Sequence, residues 1–83
     1  MPEVQEQMLE LLRQYNGKLP DNRYEDIRDL VRHGEWGVGL ENLCQNLYEY
    51  DIPVQPSDLE TIKKLTEQMH LTSKTWNFLE SLT

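Results

Sequence analysis

Lysine and arginine are absent from residues 33–62, a stretch that carries Glu35, Glu41, Glu49, Asp51, Asp58 and Glu60. Cysteine is nearly absent too. The single Cys44 excludes an intramolecular disulfide, so the chain does not need an oxidising compartment. No run approaches the roughly eighteen apolar residues of a membrane span. Residues 1–20 lack a basic region followed by an uninterrupted apolar run, so no secretory leader is expected and the cytoplasm is the expected location. Catalytic motifs are missing as well. His33 and His70 are the only histidines, and both fall near expected helix ends. There is no glycine-rich phosphate loop, no His-x-x-x-His, no cysteine pair and no calcium-loop spacing. No enzymatic activity, cofactor or metal is therefore expected.

What is present suffices for one small fold. The chain has 83 residues, 37% of them hydrophobic and 28% charged, with seven aromatics including Trp36 and Trp76. A chain of this length forms one domain and buries roughly 60–65% of its unfolded surface. Turn signals divide it into about five segments. Val4, Met8, Leu11, Leu12 and Tyr15 mark one helical face between Pro2 and about Asn16, where Asn16-Gly17 reads as a stop. A second helix follows Pro20, capped by Asp21 or Asn22, with Tyr24, Ile27, Leu30 and Val31 as its stripe and His33-Gly34 as its end.

The third segment, from about Glu35 to Tyr50, is the most strongly patterned. Trp36, Leu40, Leu43, Leu47 and Tyr50 recur at spacings of 4, 3, 4 and 3, and Cys44 widens the stripe. Gly37 and Gly39 weaken its first turn by up to about 1 kcal/mol each. Pro53 and Pro56 make a connector. Ser57-Asp58-Leu59-Glu60 then has the form of a capping box opening a fourth helix to about His70, with Leu59, Ile62, Leu65 and Met69 facing inward. Thr72 or Ser73 caps a short fifth helix carrying Trp76, Leu79 and Leu82. No segment alternates with a two-residue period. The expected fold is all-α: a single domain over residues 1–83, a compact bundle of about five short helices. Its expected core includes Trp36, Leu40, Leu43, Leu47, Ile62 and Leu65.

Charge is spread unevenly over this plan. Residues 1–32, 33–62 and 63–83 carry net charges of −2, −6 and +1 within a total of −7. Such a chain is a poor direct partner for nucleic acid or an anionic membrane. With the apolar stripe of the third helix turned inward, Glu41, Gln45, Tyr48 and Glu49 lie on or near the opposite side. Tyr48 is then a partly exposed aromatic flanked by carboxylates, a composition suited to a protein interface that steers a basic partner. Asp51 extends this face, and Glu25 and Asp29 on the second helix supply further acidic surface. The structural alternative is that Tyr48 packs sideways and the carboxylates form a solvated face. Two other surfaces are candidates for a partner: the first helix, and the basic segment around Lys63, Lys64 and Lys74.

The run His33-Gly34-Glu35-Trp36-Gly37-Val38-Gly39-Leu40-Glu41-Asn42-Leu43-Cys44-Gln45-Asn46-Leu47-Tyr48-Glu49-Tyr50-Asp51 resembles the central stretch of MafI-type immunity proteins, small bacterial proteins encoded beside polymorphic and contact-dependent growth-inhibition toxins. The shared pattern is a Gly-Glu helix start, an amide- and acid-rich Leu-x-x-Leu helix and a Tyr-Asp turn before a further helix. The Ile62–Leu71 stretch is similar too, and the resemblance spans roughly residues 22–82. Gly39 departs from it, standing where a better helix former, often Ala, is expected. The resemblance implies a binding protein that neutralises a cognate toxin C-terminal domain. That toxin is expected to be basic and a nuclease, with an EndoU-type RNase the leading candidate, and to be blocked at its active or partner-binding surface. The rival reading is a small acidic adaptor or regulatory subunit of another cytoplasmic complex.

Overall fold

The computed structural model describes residues 2–83, which form four α-helices and a C-terminal 3-10 segment; among the described residues there is no strand. Helix α1 spans Pro2–Arg13, α2 Asp21–Arg32, α3 Trp36–Glu49 and α4 Pro56–Gln68, followed by 3-10 helices at Ser73–Thr75 and Asn77–Leu82. The all-α bundle expected from the spacing is the one observed. Its radius of gyration is 11.4 Å, close to the roughly 12 Å of a compact chain of this length.

Helix α3 lies at the centre, packed against α1, α2 and both 3-10 helices. Leu40, Leu43, Cys44 and Leu47 are fully buried, as are Ile62 and Leu65 of α4. Around them close Met8, Leu12 and Tyr15 from the α1 region, Ile27 and Val31 from α2, and Leu79 from the C-terminal segment. The Tyr15 hydroxyl donates to Asp58 Oδ2 at 2.8 Å, joining the end of α1 to the start of α4.

Two residues of the expected core stripe sit elsewhere. Trp36 is only half-buried. It opens α3 at the rim of the core, where its ring packs inward while Nε1–H donates to the Val31 carbonyl at 3.1 Å and to Gln5 Oε1 at 3.2 Å. A tryptophan settles at such an edge because it has both an apolar body and a polar handle. Tyr50 is 42% exposed. The helix has ended by that point. Asp51 takes φ 55°, and Ile52 folds back so that its N–H reaches the Leu47 carbonyl at 2.9 Å. Ile52, not Tyr50, therefore fills the position beneath Leu47.

The same closure ends α2 and α4. Gly34 and His70 adopt positive φ, and the Glu35 and Leu71 amides each return to carbonyls five residues back, at 2.9 Å. Gly34 accepts this conformation at no steric cost, whereas Asp51 and His70 adopt it as non-glycine residues.

Helix starts differ from the expected caps. None of α2, α3 or α4 has a side-chain cap hydrogen bond. Helix α4 begins at Pro56, whose fixed φ suits a first helical position. Ser57 is thus already inside the helix, and Glu60 pairs with Lys63 at 3.6 Å in place of closing a capping box. Asp21 is likewise the first residue of α2, following Pro20. The last helix is a pair of 3-10 turns. Trp76, Leu79 and Leu82 recur every three residues, which is the period of a 3-10 helix and aligns them on one side. Only Leu79 of the three is fully buried, and the Val54 amide binds the segment down through the Leu82 carbonyl at 3.0 Å.

Gly39 has a packing reason. A Cβ there would lie 3.0 Å from Val31 Cγ2 and 3.7 Å from Leu30 Cβ, so α2 approaches α3 over a missing side chain. Val31 is fully buried and β-branched, so it has little freedom to yield. At Gly37 a Cβ would meet only Leu71 at 3.9 Å, an ordinary contact. Gly37→Ala should therefore raise stability by a few tenths to about 1 kcal/mol through helix propensity. Gly39→Ala should lower stability despite the same propensity gain. Chemical denaturation of the two variants checks this, and an equal gain from both would contradict the close α2–α3 approach.

Candidate interaction surface

With one half of α3 committed to the core, its other half is an outward ridge. Glu41, Gln45, Tyr48 and Glu49 are all exposed on it, and Asp51 is exposed immediately beyond. Two residues join them that spacing did not place there, Val38 and Tyr50. The exposed large hydrophobics of the described residues are Val38 at 44%, Tyr48 at 54% and Tyr50 at 42%, all on α3 or its cap. Val38 was hidden in a Gly-Val-Gly stretch that read only as a weak helix start. Tyr50 matched the core stripe by spacing and is released from it by the turn at Asp51.

Tyr48 does two things at once. Its ring meets Phe78 of the C-terminal segment edge-on, with centroids 5.3 Å apart at 79°, and more than half of the residue stays exposed. The contact braces the ring and reduces the rotamer freedom it would lose on binding.

A depression runs along each flank of the ridge. Toward the C-terminal segment lies a groove of about 150 Å³ lined by Glu41, Gln45, Thr72, Lys74, Thr75 and Phe78. Toward α2 lies a shallower cleft of about 490 Å³ lined by Asp26, Asp29, Leu30, His33 and Asn42. Asp29 therefore shares a surface with α3. Glu25 is exposed one turn earlier on α2 and lines neither depression. Lys74 stands beside Glu41, so the two expected surfaces, acidic and basic, meet at this groove.

The carboxylates of this face make no ion pairs with the described residues. Among the described residues the one ion pair is Glu60–Lys63, and none of Glu25, Asp29, Glu41, Glu49 or Asp51 is paired with a cation. Helix α3 has no basic residue in its last turn and carries Glu49 there, with Asp51 just past the end. Carboxylates at a helix C-terminus face the negative end of its dipole, at a cost of about 0.3–1 kcal/mol each. Asn42 and Asn46 turn their amides onto the Val38 and Asn42 carbonyls at 2.9 and 2.7 Å, so these two side chains are held against their own helix.

The groups that could carry chemistry are dispersed. Cys44 is fully buried, and its thiol is pushed up to about 12, first by burial and then by the Glu41 charge. An activated nucleophile needs the opposite shift. His33 is exposed, and its Nδ1–H donates to the Asp29 carbonyl at 2.7 Å, closing the end of α2. His70 is exposed and forms the left-handed stop after α4. Among the described residues no group of three or more His, Cys, Asp or Glu side chains is placed to hold a metal ion, and no helix is long and apolar enough to cross a membrane. Comparison with protein-family models, curated proteins and solved structures finds no match for the chain.

The buried thiol gives a direct check on this packing. Its folded value of about 12 lies above the ordinary 9, so the fold favours the neutral form. Burial and the Asp58 hydrogen bond raise the Tyr15 phenol in the same direction. The Cys44 contribution is fully present below pH 9 and is lost as pH rises through 9 toward 12, by up to about 1.4 kcal/mol per pH unit, whereas the Tyr15 contribution is fully present below pH 10 and is lost above it. Cys44→Ala should flatten this alkaline decline. Iodoacetamide should modify Cys44 only in denaturant, and rapid alkylation of the folded protein would contradict its placement.

Proposed function

We propose that this chain is a non-catalytic binding protein that neutralises a basic partner, with the outer ridge of α3 as the centre of contact. The observation that carries the reading is the coincidence, on one helix, of Val38, Tyr48 and Tyr50 exposed among unpaired carboxylates. Apolar and aromatic groups give an interface its desolvated centre, and an acidic surround steers an oppositely charged partner. The resemblance of residues 33–51 to MafI-type immunity proteins names the partner class: a toxin C-terminal domain encoded beside this gene and met in the cytoplasm. A nuclease, of EndoU type in the leading case, carries a basic substrate groove that an acidic ridge complements. Occupying that groove, or the surface where the toxin meets its own partner, inhibits without catalysis.

The size of the chain shapes the contact. A standard interface takes about 800 Å² from each partner, roughly 15% of the 5172 Å² exposed here. One helix face does not supply that area. The α2 cleft at Asp29 and the groove at Phe78 and Lys74 therefore join the ridge, while Glu25 acts through its field at the edge. Binding kinetics against the neighbouring toxin domain, at low and high salt, test this. Glu41→Lys with Glu49→Lys should slow association about tenfold at low salt and flatten its salt dependence. Tyr48→Ala should leave association nearly unchanged and speed dissociation by about 30-fold, the equivalent of about 2 kcal/mol at a buried anchor. Unchanged rates in both folded variants would place the interface on another face. A gene neighbourhood without a toxin, together with no binding, would favour the adaptor reading.

A further inference from the structure

On the other side of α2 the charge reverses. Tyr24, Arg28 and Arg32 follow one another at four-residue intervals and form one wall of a groove of about 290 Å³; Leu9, Leu12, Arg13 and Asn16 form the other. Helix α2 thus separates these charges, with Asp26 and Asp29 toward α3 and Arg28 and Arg32 toward α1. Three of the chain's eight cationic side chains meet in this groove. No carboxylate lines it, and among the described residues none of the three arginines is within 4.0 Å of one. That is unexpected in a chain with 15 acidic residues, because each arginine repels the other two and a nearby carboxylate would relieve the repulsion.

Arg28 adds a second observation. Its guanidinium lies over the Tyr24 ring, 5.9 Å from the centroid, and its Nε is shut off from solvent without a hydrogen-bond partner. Burial of Nε against the groove wall leaves the Nη groups of Arg28 as its accessible donors. The two Nη groups of a guanidinium offer parallel donors to the two oxygens of a carboxylate or phosphate.

We propose that the α1–α2 groove is a binding site for a small oxyanion, a phosphate or carboxylate carried on an apolar or planar body. The oxyanion takes the two Nη groups of Arg28 and is shared with Arg32 and Arg13. The body lies against Leu9 and the Tyr24 ring. The site uses none of the residues of the α3 ridge, so it stands or falls independently of the toxin reading.

The probes are sodium pyrophosphate and sodium succinate, titrated into the whole protein at low ionic strength. The readout is the NMR signal of the arginine Nε–Hε groups together with the backbone amides. A saturable shift centred on Arg28 Hε and the α1–α2 amides is expected. The tighter of the two probes identifies whether the natural ligand is a phosphate or a carboxylate. Arg28→Lys keeps the charge and removes the fork, so it should weaken binding at least about tenfold. Arg32→Gln, an exposed position that the fold does not depend on, should also weaken it, and Lys64→Gln on α4 should leave it unchanged. Shifts that fail to saturate, that spread over all cations alike, or that persist at full affinity in both folded arginine variants would overturn the proposal.

Discussion

The close approach of α2 to α3 at Gly39 governs the rest of the molecule. With no side chain there, Val31 comes within 3.0 Å of the position a Cβ would take. The helix pair can then close over Leu40, Leu43 and Leu47, all of which are fully shielded from solvent. Since α1 and the C-terminal 3-10 turns also pack on α3, this one helix supplies the inner surface on which the other elements are assembled. Beyond the Tyr48–Phe78 contact its remaining half is turned to solvent, and that is where the chain places its exposed aromatics and unpaired acids.

The outer half of α3 works against the helix that bears it. Glu49 and Asp51 oppose the dipole, Asp51 holds a positive φ without being glycine, and Tyr48 and Tyr50 expose aromatic surface. Each of these departures weakens the isolated fold slightly, and the exposed aromatics and acids are consistent with the proposed interface for a cationic partner. Sorting of charge on α2 completes the pattern. Asp26 and Asp29 continue the α3 surface, and Arg28 and Arg32 line the groove on the far side. The two surfaces differ in sign although one 12-residue helix serves both.

Much of this was legible in the sequence because burial on a helix leaves a period. Leu40, Leu43, Cys44, Leu47, Ile62 and Leu65 were readable from spacing alone and are buried. Exposure of Glu41, Gln45, Tyr48 and Glu49 followed as its complement. What spacing missed lies at the helix ends. Periodicity cannot say where a helix stops, so Tyr50 looked buried although Asp51 had already turned the chain. Helix starts were misjudged at Asp21 and Ser57, where a preceding or adjacent proline sets the boundary and the capping residue is already inside. The arginine groove was invisible because Arg13 and Arg28 meet only through the packing of α1 against α2. Gly39 looked like a weakness in the helix, and only the distance to Val31 shows why a methyl group does not fit.

The proposal that the outer ridge of α3 is the recognition surface is tested most directly by hydroxyl-radical footprinting of the complex with the proposed partner, a toxin domain encoded beside the gene. Side-chain labelling reads the accessibility of the aromatic and aliphatic groups themselves. Val38, Tyr48 and Tyr50 should each lose most of their labelling in the complex, with Phe78 following, while Trp76 and Tyr24 stay as reactive as in the free protein. Unchanged labelling of Tyr48 and Tyr50 in a complex that protects α1 or α4 would contradict the account.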